Sequence, residues 1–350
     1  MKKFLLQISN VQRNWQTKHL ISRLSPWIPE MVKAIPQLTE IAPPHSWRIK
    51  QVHRSLSDTE VLWISPLNNA ATFMLRIPKS QSALLGFEHQ KKICARLRED
   101  ARLGEWRQLL PNFLYDGQFQ GRPYSVEEQL PGINAMQALL DLDKRQIVQE
   151  SALKALTHLH QKTSNIVVVD DKLLEHLVLN PLQIIRKSIL VYYHHRSRFL
   201  LDRLGQQLSE GLLGKSIMVS WVHGDYWPAN ILVTPDGHRV TGIVDWELSQ
   251  PIGLPSLDLV NLLISTRRIE EGKELGEILT QILHQESWRK YEQVWWEQAQ
   301  QMAKGNIPCL RDVLLIFWLQ HLSANVNKTW RYSVNPIWTY SNFLQVLNCL

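Results

Sequence analysis

The stretch from Val222 to Val233, VHGDYWPANILV, places His223, Asp225 and Asn230 among apolar residues. Polar groups in apolar surroundings cost free energy unless they are hydrogen-bonded or hold an ion. The stretch is therefore either a tight turn or a loop whose acid and amide carry out chemistry.

The spacing of the acid and the amide favours the second interpretation. Phosphoryl transfer needs one group that orients the attacking hydroxyl and others that hold Mg²⁺ on the phosphates. Kinase catalytic loops supply these groups as His-x-Asp followed by an Asn five positions after the Asp. Here Asn230 follows Asp225 by five positions. The pattern indicates a catalytic loop for phosphoryl transfer, with a plain loop amide as the alternative for Asn230.

A second acid lies further along the chain, in the segment GIVDWE. Asp245 ends an apolar strand there, and the turn TPDG over 234–237 folds that strand back. This path is expected to bring Asp245 beside Asn230, and a carboxylate with an amide oxygen suits Mg²⁺. A cap on a helix or turn is the alternative for Asp245.

The order of strand-like and helix-like segments predicts an α+β fold in two lobes. Residues 47–130 contain short β-branched and aromatic runs interrupted by one helical stretch, which predicts a five-stranded antiparallel sheet with one helix. The rest is mostly helical, including a long helix over roughly 180–210, except for three short strands over 217–245. We expect a helical extension over 1–46, an N-lobe over 47–130, a C-lobe over 131–350, and a ligand cleft between the lobes.

The net charge of +7 comes entirely from the start of the chain. Residues 1–54 hold nine Lys or Arg and two acids, so the remainder is neutral. These cations are spread out, which favours a solvated helical face docked on the body over nucleic-acid binding. No apolar run is long enough for membrane insertion, there is no secretory signal, and the three cysteines lack metal-ligand spacing, so we expect a cytoplasmic protein.

The motifs VHGDYWPANILV, GIVDWE and PSLDLVNLL together resemble those of the aminoglycoside phosphotransferase family, which includes the choline kinases. The resemblance covers roughly residues 47–330 and implies the protein-kinase-like two-lobe fold, with ATP and Mg²⁺ as cofactors. It implies that Asp225 is the catalytic base and that Asn230 and Asp245 hold Mg²⁺.

The same resemblance gives supporting roles to two other residues near the loop. His223 is expected to shape the catalytic loop. Asp258 is expected to cap the following helix and to brace the loop.

In the N-lobe, the resemblance implies a cation on the third strand and a glutamate on the next helix, paired beside the nucleotide phosphates. The segment FMLRIPKS offers Arg76, where the family commonly has Lys, or else Lys79. Glu88 is the expected partner. Arg binds phosphate with a geometry different from that of Lys.

Two further N-lobe segments are expected to contact the nucleotide. The segment YSVEEQLPG resembles the hinge that binds adenine through its backbone, and the hinge residues are Glu127, Glu128, Gln129 and Leu130. The loop RSLSDTE lacks the glycines that bring backbone amides close to phosphate, so only Ser55, Ser57 and Thr59 offer hydroxyls. We expect moderate ATP affinity.

These observations predict an ATP- and Mg²⁺-dependent kinase that phosphorylates a hydroxyl of a small molecule such as a sugar, amino alcohol, antibiotic or natural-product intermediate. The alternative is a catalytically weak or inactive kinase-like protein that binds a nucleotide or metabolite. The acidic cluster Glu270, Glu271, Glu274 and Glu277 is either a pocket for polycationic aminoglycosides or a solvated face. The Trp-rich, nearly neutral C-terminal helices fit a neutral or amphipathic acceptor better.

Overall fold

The computed structural model describes residues 18–53, 58–68, 71–189, 194–329 and 331–350. Within these ranges the chain forms two compact units. The first unit comprises the chain up to residue 99 together with 108–131, and the second comprises 100–107 together with 132–350.

The first unit contains one antiparallel sheet with the strand order β1-β2-β3-β5-β4, which confirms the expected five-stranded sheet. The strands are β1 Trp47–His53, β2 Thr59–Pro66, β3 Phe73–Pro78, β4 Phe113–Phe119 and β5 Arg122–Glu128. Ser55 and Ser57, in the predicted phosphate loop, lie outside the described residues.

The N-terminal helices cover one face of this sheet. They are α1 over 18–24, α2 Ile28–Lys33 and α3 Pro36–Ile41. Their apolar residues form one buried core with alternate residues of the strands: Leu24, Ile28, Met31, Val32 and Leu38 on the helices, Ile35 between α2 and α3, and Leu62, Ile64, Phe73, Leu75, Ile77 and Val126 on the sheet. The extension is thus docked on the body, as expected, and residues 18–46 share a core with the sheet.

The one helix inserted into the sheet sequence, α4 Gln81–Glu99, packs against β3. Its buried residues Phe87, Gln90, Cys94 and Leu97 recur at the three- and four-residue spacing of one helix face. Along β3, Met74 and Arg76 point away from the face that holds Phe73, Leu75 and Ile77, because successive strand residues alternate.

The second unit is mostly helical. Its longer helices are α6 Arg145–Thr163, α8 Asn180–Ser188, α9 His195–Leu212, α10 Pro255–Glu271, α11 Leu275–Gln285, α12 Lys290–Ala303 and α13 Leu310–Lys328. Its short helices are α5 Ala135–Ala138, α7 Asp171–Leu174, α14 Arg331–Val334, α15 Pro336–Thr339 and α16 Gln345–Leu347, with π-helical segments at Glu175–Leu179 and Tyr340–Leu344.

The single helix expected over 180–210 is wrong. Helix α8 ends at Ser188 because Ile189 has an extended backbone, with φ −93° and ψ 113°, and α9 begins at His195. None of the helices in the described ranges is both long and apolar enough to cross a bilayer.

Two small three-stranded sheets interrupt the helices of the second unit, with the orders β10-β9-β6 and β11-β8-β7. Their strands are β6 Ile133–Asn134, β7 Asn165–Val168, β8 Ser216–Val222, β9 Ile231–Val233, β10 Val240–Ile243 and β11 Gln250–Gly253. The three strands expected over 217–245 are β8, β9 and β10. Strand β8 delivers the chain into the loop that begins at His223.

The core shared by the N-terminal helices and the sheet predicts the effect of removing one of its side chains. Leu38 is fully buried on α3, so Leu38→Ala should lower the free energy of unfolding by about 2–5 kcal/mol, measured by urea denaturation. The neighbouring exposed Gln37 provides the control, and Gln37→Ala should change it by less than about 0.5 kcal/mol. Equal effects of the two substitutions would show that the extension contributes no core.

Candidate active site

The loop between β8 and β9 needs a glycine directly before its acid. Gly224 has φ +80°, and a Cβ atom there would lie 2.4 Å from the carbonyl oxygen of Leu248. A side chain would therefore be strained and would clash with backbone. This close approach explains why the middle residue of the His-Gly-Asp motif is glycine.

His223 connects the two halves of the candidate site. It is completely buried, its Nε2 lies 3.0 Å from the carbonyl oxygen of Val244, and its Nδ1 accepts the backbone N–H of Asp225 at 3.2 Å. These partners assign a neutral imidazole that carries its proton on Nε2. His223 thus holds Asp225 against the strand end that precedes Asp245, which confirms its expected role in shaping the loop.

Asp258 braces the start of the loop. Its Oδ2 accepts the N–H of His223 at 2.7 Å, its Oδ1 accepts the N–H of Gly224 at 2.9 Å, and His160 Nε2 lies 3.3 Å from Oδ2. The expected brace is confirmed. The expected cap is wrong, because α10 starts after Leu254, which makes no side-chain cap, and Asp258 spends both oxygens on the loop.

Asp225 is held by two amide side chains. Asn230 Nδ2 lies 3.1 Å from its Oδ2, and Asn261 Nδ2 lies 3.4 Å from its Oδ1. Burial is the main cause that raises the pKa of Asp225 above its ordinary value, and the charge of Asp245 adds to the rise. A carboxylate with a raised pKa is a better proton acceptor.

Asn261 is a residue that the sequence reasoning missed. It lies on α10 three positions after Asp258, and it is buried with its Oδ1 accepting the hydroxyl of Ser265 at 3.2 Å. Residues three apart share a helix face. The three-residue spacing of Asp258 and Asn261 is visible in the motif PSLDLVNLL. It points to Asp225 only once this face of α10 is known to contact the loop.

Asn230 and Asp245 are brought together by the backbone. The N–H of Val244 donates to the carbonyl oxygen of Asn230 at 2.9 Å, and Asp245 is the next residue. Asp245 has φ +68°, a conformation that costs a non-glycine residue roughly 1–3 kcal/mol and that concentrates at functional sites.

This pair of residues suits Mg²⁺ by its chemistry. The Nδ2 of Asn230 donates to Asp225, which leaves the amide Oδ1 as the oxygen available to a cation, and Asp245 adds a carboxylate. In the described part of the chain, no cluster of three or more His, Cys, Asp or Glu side chains is suited to a metal. Magnesium commonly takes only one or two carboxylates and completes its shell with phosphates and water.

A model of the phosphotransferase enzyme family, APH, matches residues 55–294, more than half of the 350-residue chain. The chain belongs to this family. The enzyme class expected from the sequence, a small-molecule kinase, and the α+β protein-kinase-like fold are thereby confirmed.

Among solved structures, this phosphotransferase is similar to an aminoglycoside-3'-phosphotransferase of type VIII, with 16% identity, 79% of this chain and 92% of that chain covered, and a TM-score of 0.49. It is also similar to APH(3'')-Id from Streptomyces rimosus, with 15% identity, 77% and 91% covered and a TM-score of 0.48, and to a glucosamine kinase, with 12% identity, 87% and 92% covered and a TM-score of 0.41. Similarity at this level identifies no substrate. No curated protein matches the chain.

In the first unit, the ion pairs of the phosphotransferase differ from those expected. Arg76 Nε donates to Glu127 Oε1 at 2.6 Å, and Lys91 Nζ lies 2.6 Å from Glu88 Oε1. The two predicted partners Arg76 and Glu88 thus each form an ion pair with another residue. Lys79, the other candidate cation, is exposed just after β3.

The predicted hinge residues differ in their backbone bonds. The N–H of Glu128 donates to Asn112 at 3.1 Å, and the N–H of Gln129 donates to Thr72 at 3.3 Å. Among the described residues, no protein oxygen accepts the N–H of Leu130. Glu127 is part of β5, and its side chain is almost completely buried.

The four glutamates considered as an acidic pocket are all engaged within the protein. The ion pairs are Glu270–Arg289, Glu271–Lys273 and Glu274–Arg268, and Glu277 accepts the N–H of Glu274. Their charges are neutralised or used in helix capping. They do not form an unpaired acidic surface for a polycation.

Two tryptophans of the C-terminal helices serve the core. Trp296 and Trp318 are buried, and Trp318 stacks on Phe343 and donates its indole N–H to Asn342 at 2.7 Å. These two side chains therefore belong to the core of the second unit. Trp330 lies outside the described residues.

The brace by Asp258 predicts a large stability effect. Asp258→Ala should lower the free energy of unfolding by about 3–5 kcal/mol, because the backbone N–H groups of His223 and Gly224 lose the carboxylate that accepts both of them. Denaturant unfolding measures this loss. As a control, Asp143→Ala removes an exposed carboxylate of the same unit and should cost less than about 0.5 kcal/mol. A loss below about 1 kcal/mol for Asp258→Ala would contradict the brace.

Proposed function

We propose that this phosphotransferase transfers the terminal phosphoryl group of ATP, bound with Mg²⁺, to a hydroxyl of a neutral or amphipathic small molecule. One observation carries the proposal. The side chain of Asn230 donates to the carboxylate of Asp225. The backbone carbonyl oxygen of Asn230 accepts the N–H of Val244, the residue directly before Asp245. A proton acceptor and two oxygen ligands are thereby collected around one residue.

Asp225 would orient the acceptor hydroxyl and take its proton. The amides of Asn230 and Asn261 fix the plane of the carboxylate, so it needs little reorganisation when the hydroxyl arrives. The raised pKa favours proton acceptance over a fully solvated carboxylate.

The Oδ1 of Asn230 and the carboxylate of Asp245 would hold Mg²⁺. When bound, this ion neutralises the charge that develops on the phosphate oxygens. The left-handed backbone at Asp245 supports the assignment, because such strain persists where the local structure requires that side-chain direction.

The nucleotide would be bound by residues 47–130, and residues 131–350 would supply the catalytic loop and the acceptor helices. Leu130 is the hinge residue that we assign to adenine, since the neighbouring N–H groups of Glu128 and Gln129 already have backbone partners. Arg76 is the better candidate for the phosphate tail, because Glu127 holds it in place, whereas Lys79 is exposed.

A neutral or amphipathic acceptor, such as a sugar, an amino alcohol or a natural-product intermediate, fits the charges of the second unit. A polycation would need unpaired carboxylates, and the acidic cluster of α10 and α11 is already paired. The competing function is a catalytically weak nucleotide-binding protein. One observation favours this competing function: Arg76 pairs with Glu127, and Glu88 pairs with Lys91, in place of the expected Arg76–Glu88 pair. A cation held away from the phosphates would slow phosphoryl transfer.

An acceptor screen separates the two functions. The purified protein is incubated with ATP and Mg²⁺ against panels of sugars, amino alcohols, aminoglycosides and natural-product alcohols, and ADP and phosphorylated product are measured by mass spectrometry. A thermal shift by Mg²⁺-ATP together with phosphorylated product supports the kinase. A thermal shift without ADP in any panel supports the competing function, and phosphorylation of aminoglycosides alone overturns the acceptor class.

Replacing the proposed base tests its role directly. Asp225→Asn should lower the turnover rate by about 10²–10⁴-fold, because general-base catalysis contributes this much, while the thermal shift by Mg²⁺-ATP remains. Asp236 is an exposed acid in the following hairpin, and Asp236→Asn should leave turnover within about twofold of wild type. Near wild-type turnover of Asp225→Asn would remove the base from the mechanism.

The proposed metal ligand has a separate readout. Asp245→Asn should raise the Mg²⁺ concentration needed for half-maximal stabilisation by ATP by about tenfold or more, because the site loses its charged ligand. Titration of Mg²⁺ in a thermal-shift assay measures this midpoint. An unchanged midpoint would exclude Asp245 from the metal site.

A further inference from the structure

Strand pairing places an acid beside Arg76. In the β3–β5 ladder, Arg76 lies opposite Ser125, and Glu127 is two residues further along β5. Residues two apart on a strand share a face, and diagonal neighbours across a ladder lie within reach of long side chains. The resulting contact is the 2.6 Å bond from Arg76 Nε to Glu127 Oε1, with 18% of the Arg76 side chain and 1% of the Glu127 side chain exposed.

Helix α4 contacts this pair through an aromatic ring. The guanidinium carbon of Arg76 lies 5.9 Å from the centre of the Phe87 ring. Burial, followed by the charge of Glu127, raises the pKa of Cys94 to about 12, so this thiol lies near the carboxylate. Gln90 lies between Phe87 and Cys94 on the same helix face and is buried. The buried face of α4 thus carries a neutral amide, and Glu88 is not among its buried residues.

Glu88 lies on another side of α4. Its side chain is 44% exposed and forms an ion pair with Lys91, three positions further along the helix. Lys91 in turn contacts Asp116 on β4 at 2.8 Å. The glutamate expected to hold Arg76 is thus part of a separate surface cluster.

The buried carboxylate explains why the cation is Arg. A Lys ammonium has one nitrogen, which would be shared between a carboxylate and a phosphate. Arg has five N–H donors in a rigid fork, so the bond from Nε to Glu127 fixes the plane in which the two Nη groups point. Compared with the expected Lys and helix glutamate, this chain has Arg on β3 and its acid on β5. The two differences belong together, because the acid on β5 orients the fork of the Arg.

We propose that Glu127 positions Arg76 to bind the phosphates of the nucleotide, in the role that the sequence assigned to Glu88. This inference rests on the nucleotide use proposed above. Glu127 itself touches no nucleotide in this scheme and acts through Arg76.

Comparing ATP with adenosine tests the proposal, because adenosine lacks the phosphates. Binding to the full-length protein is measured by calorimetry in the presence of Mg²⁺. Glu127→Gln should weaken the binding of ATP by about tenfold and leave the affinity for adenosine within about twofold of wild type. Glu88→Gln tests the rival assignment and should leave ATP within about twofold, and Glu99→Gln, an exposed acid at the end of α4, is the neutral control.

Arg76→Lys gives a second test, in which the buried carboxylate keeps a cationic partner. This variant tests the proposal even if the Glu127→Gln protein does not fold. It should weaken ATP binding by about tenfold and adenosine binding by less than about twofold, since the ammonium of Lys lacks the rigid fork that Glu127 orients. The proposal is overturned if ATP affinity survives Arg76→Lys, if Glu127→Gln weakens ATP and adenosine equally, or if only Glu88→Gln weakens ATP. Failure of the wild-type protein to bind ATP would instead refute the proposed function, and this inference with it.

Discussion

The carboxylate of Asp258 is the constraint on which the rest of the active site depends. It is 1% exposed and accepts the N–H groups of His223, which is completely buried, and of Gly224, which directly precedes Asp225. Because Asp258 lies on α10, the packing of that long helix fixes where the loop begins. The same helix presents Asn261 to the carboxylate of Asp225. One element therefore sets both the backbone and the side chain of Asp225.

From this anchor, hydrogen bonds spread to the second half of the site. His223 links Asp225 to Val244, and Asn230 links the same two places through its side chain and its carbonyl oxygen. Two bridges between the same segments resist rotation better than one. The positions of Asp225 and Asp245 then depend on backbone bonds, which are less mobile than long side chains.

In the first unit, too, a buried carboxylate holds a polar partner in place. Arg76 has a buried partner in Glu127, which a neighbouring strand supplies. A buried carboxylate and a guanidinium stabilise one another only as a pair, so the two residues have to be considered together. The acidic surface cluster around Glu88 and Asp116 is separate from this pair and shares no ion pair with it among the described residues.

The sequence by itself determined the strands, most helices and the loop that holds Asp225 and Asn230, because these depend on local spacing and on motif order. The roles of Asp225, Asn230 and Asp245 stay predictions. It gave the wrong ion pair for Arg76, since the partner comes from β5, and only strand register places Glu127 diagonally opposite. It missed Asn261 and gave Asp258 a cap, because the contacts of α10 join residues more than 30 positions apart. Tertiary structure decided these points for one physical reason: a polar side chain takes its partner from whatever packing brings within hydrogen-bond distance, and sequence separation carries no information about that.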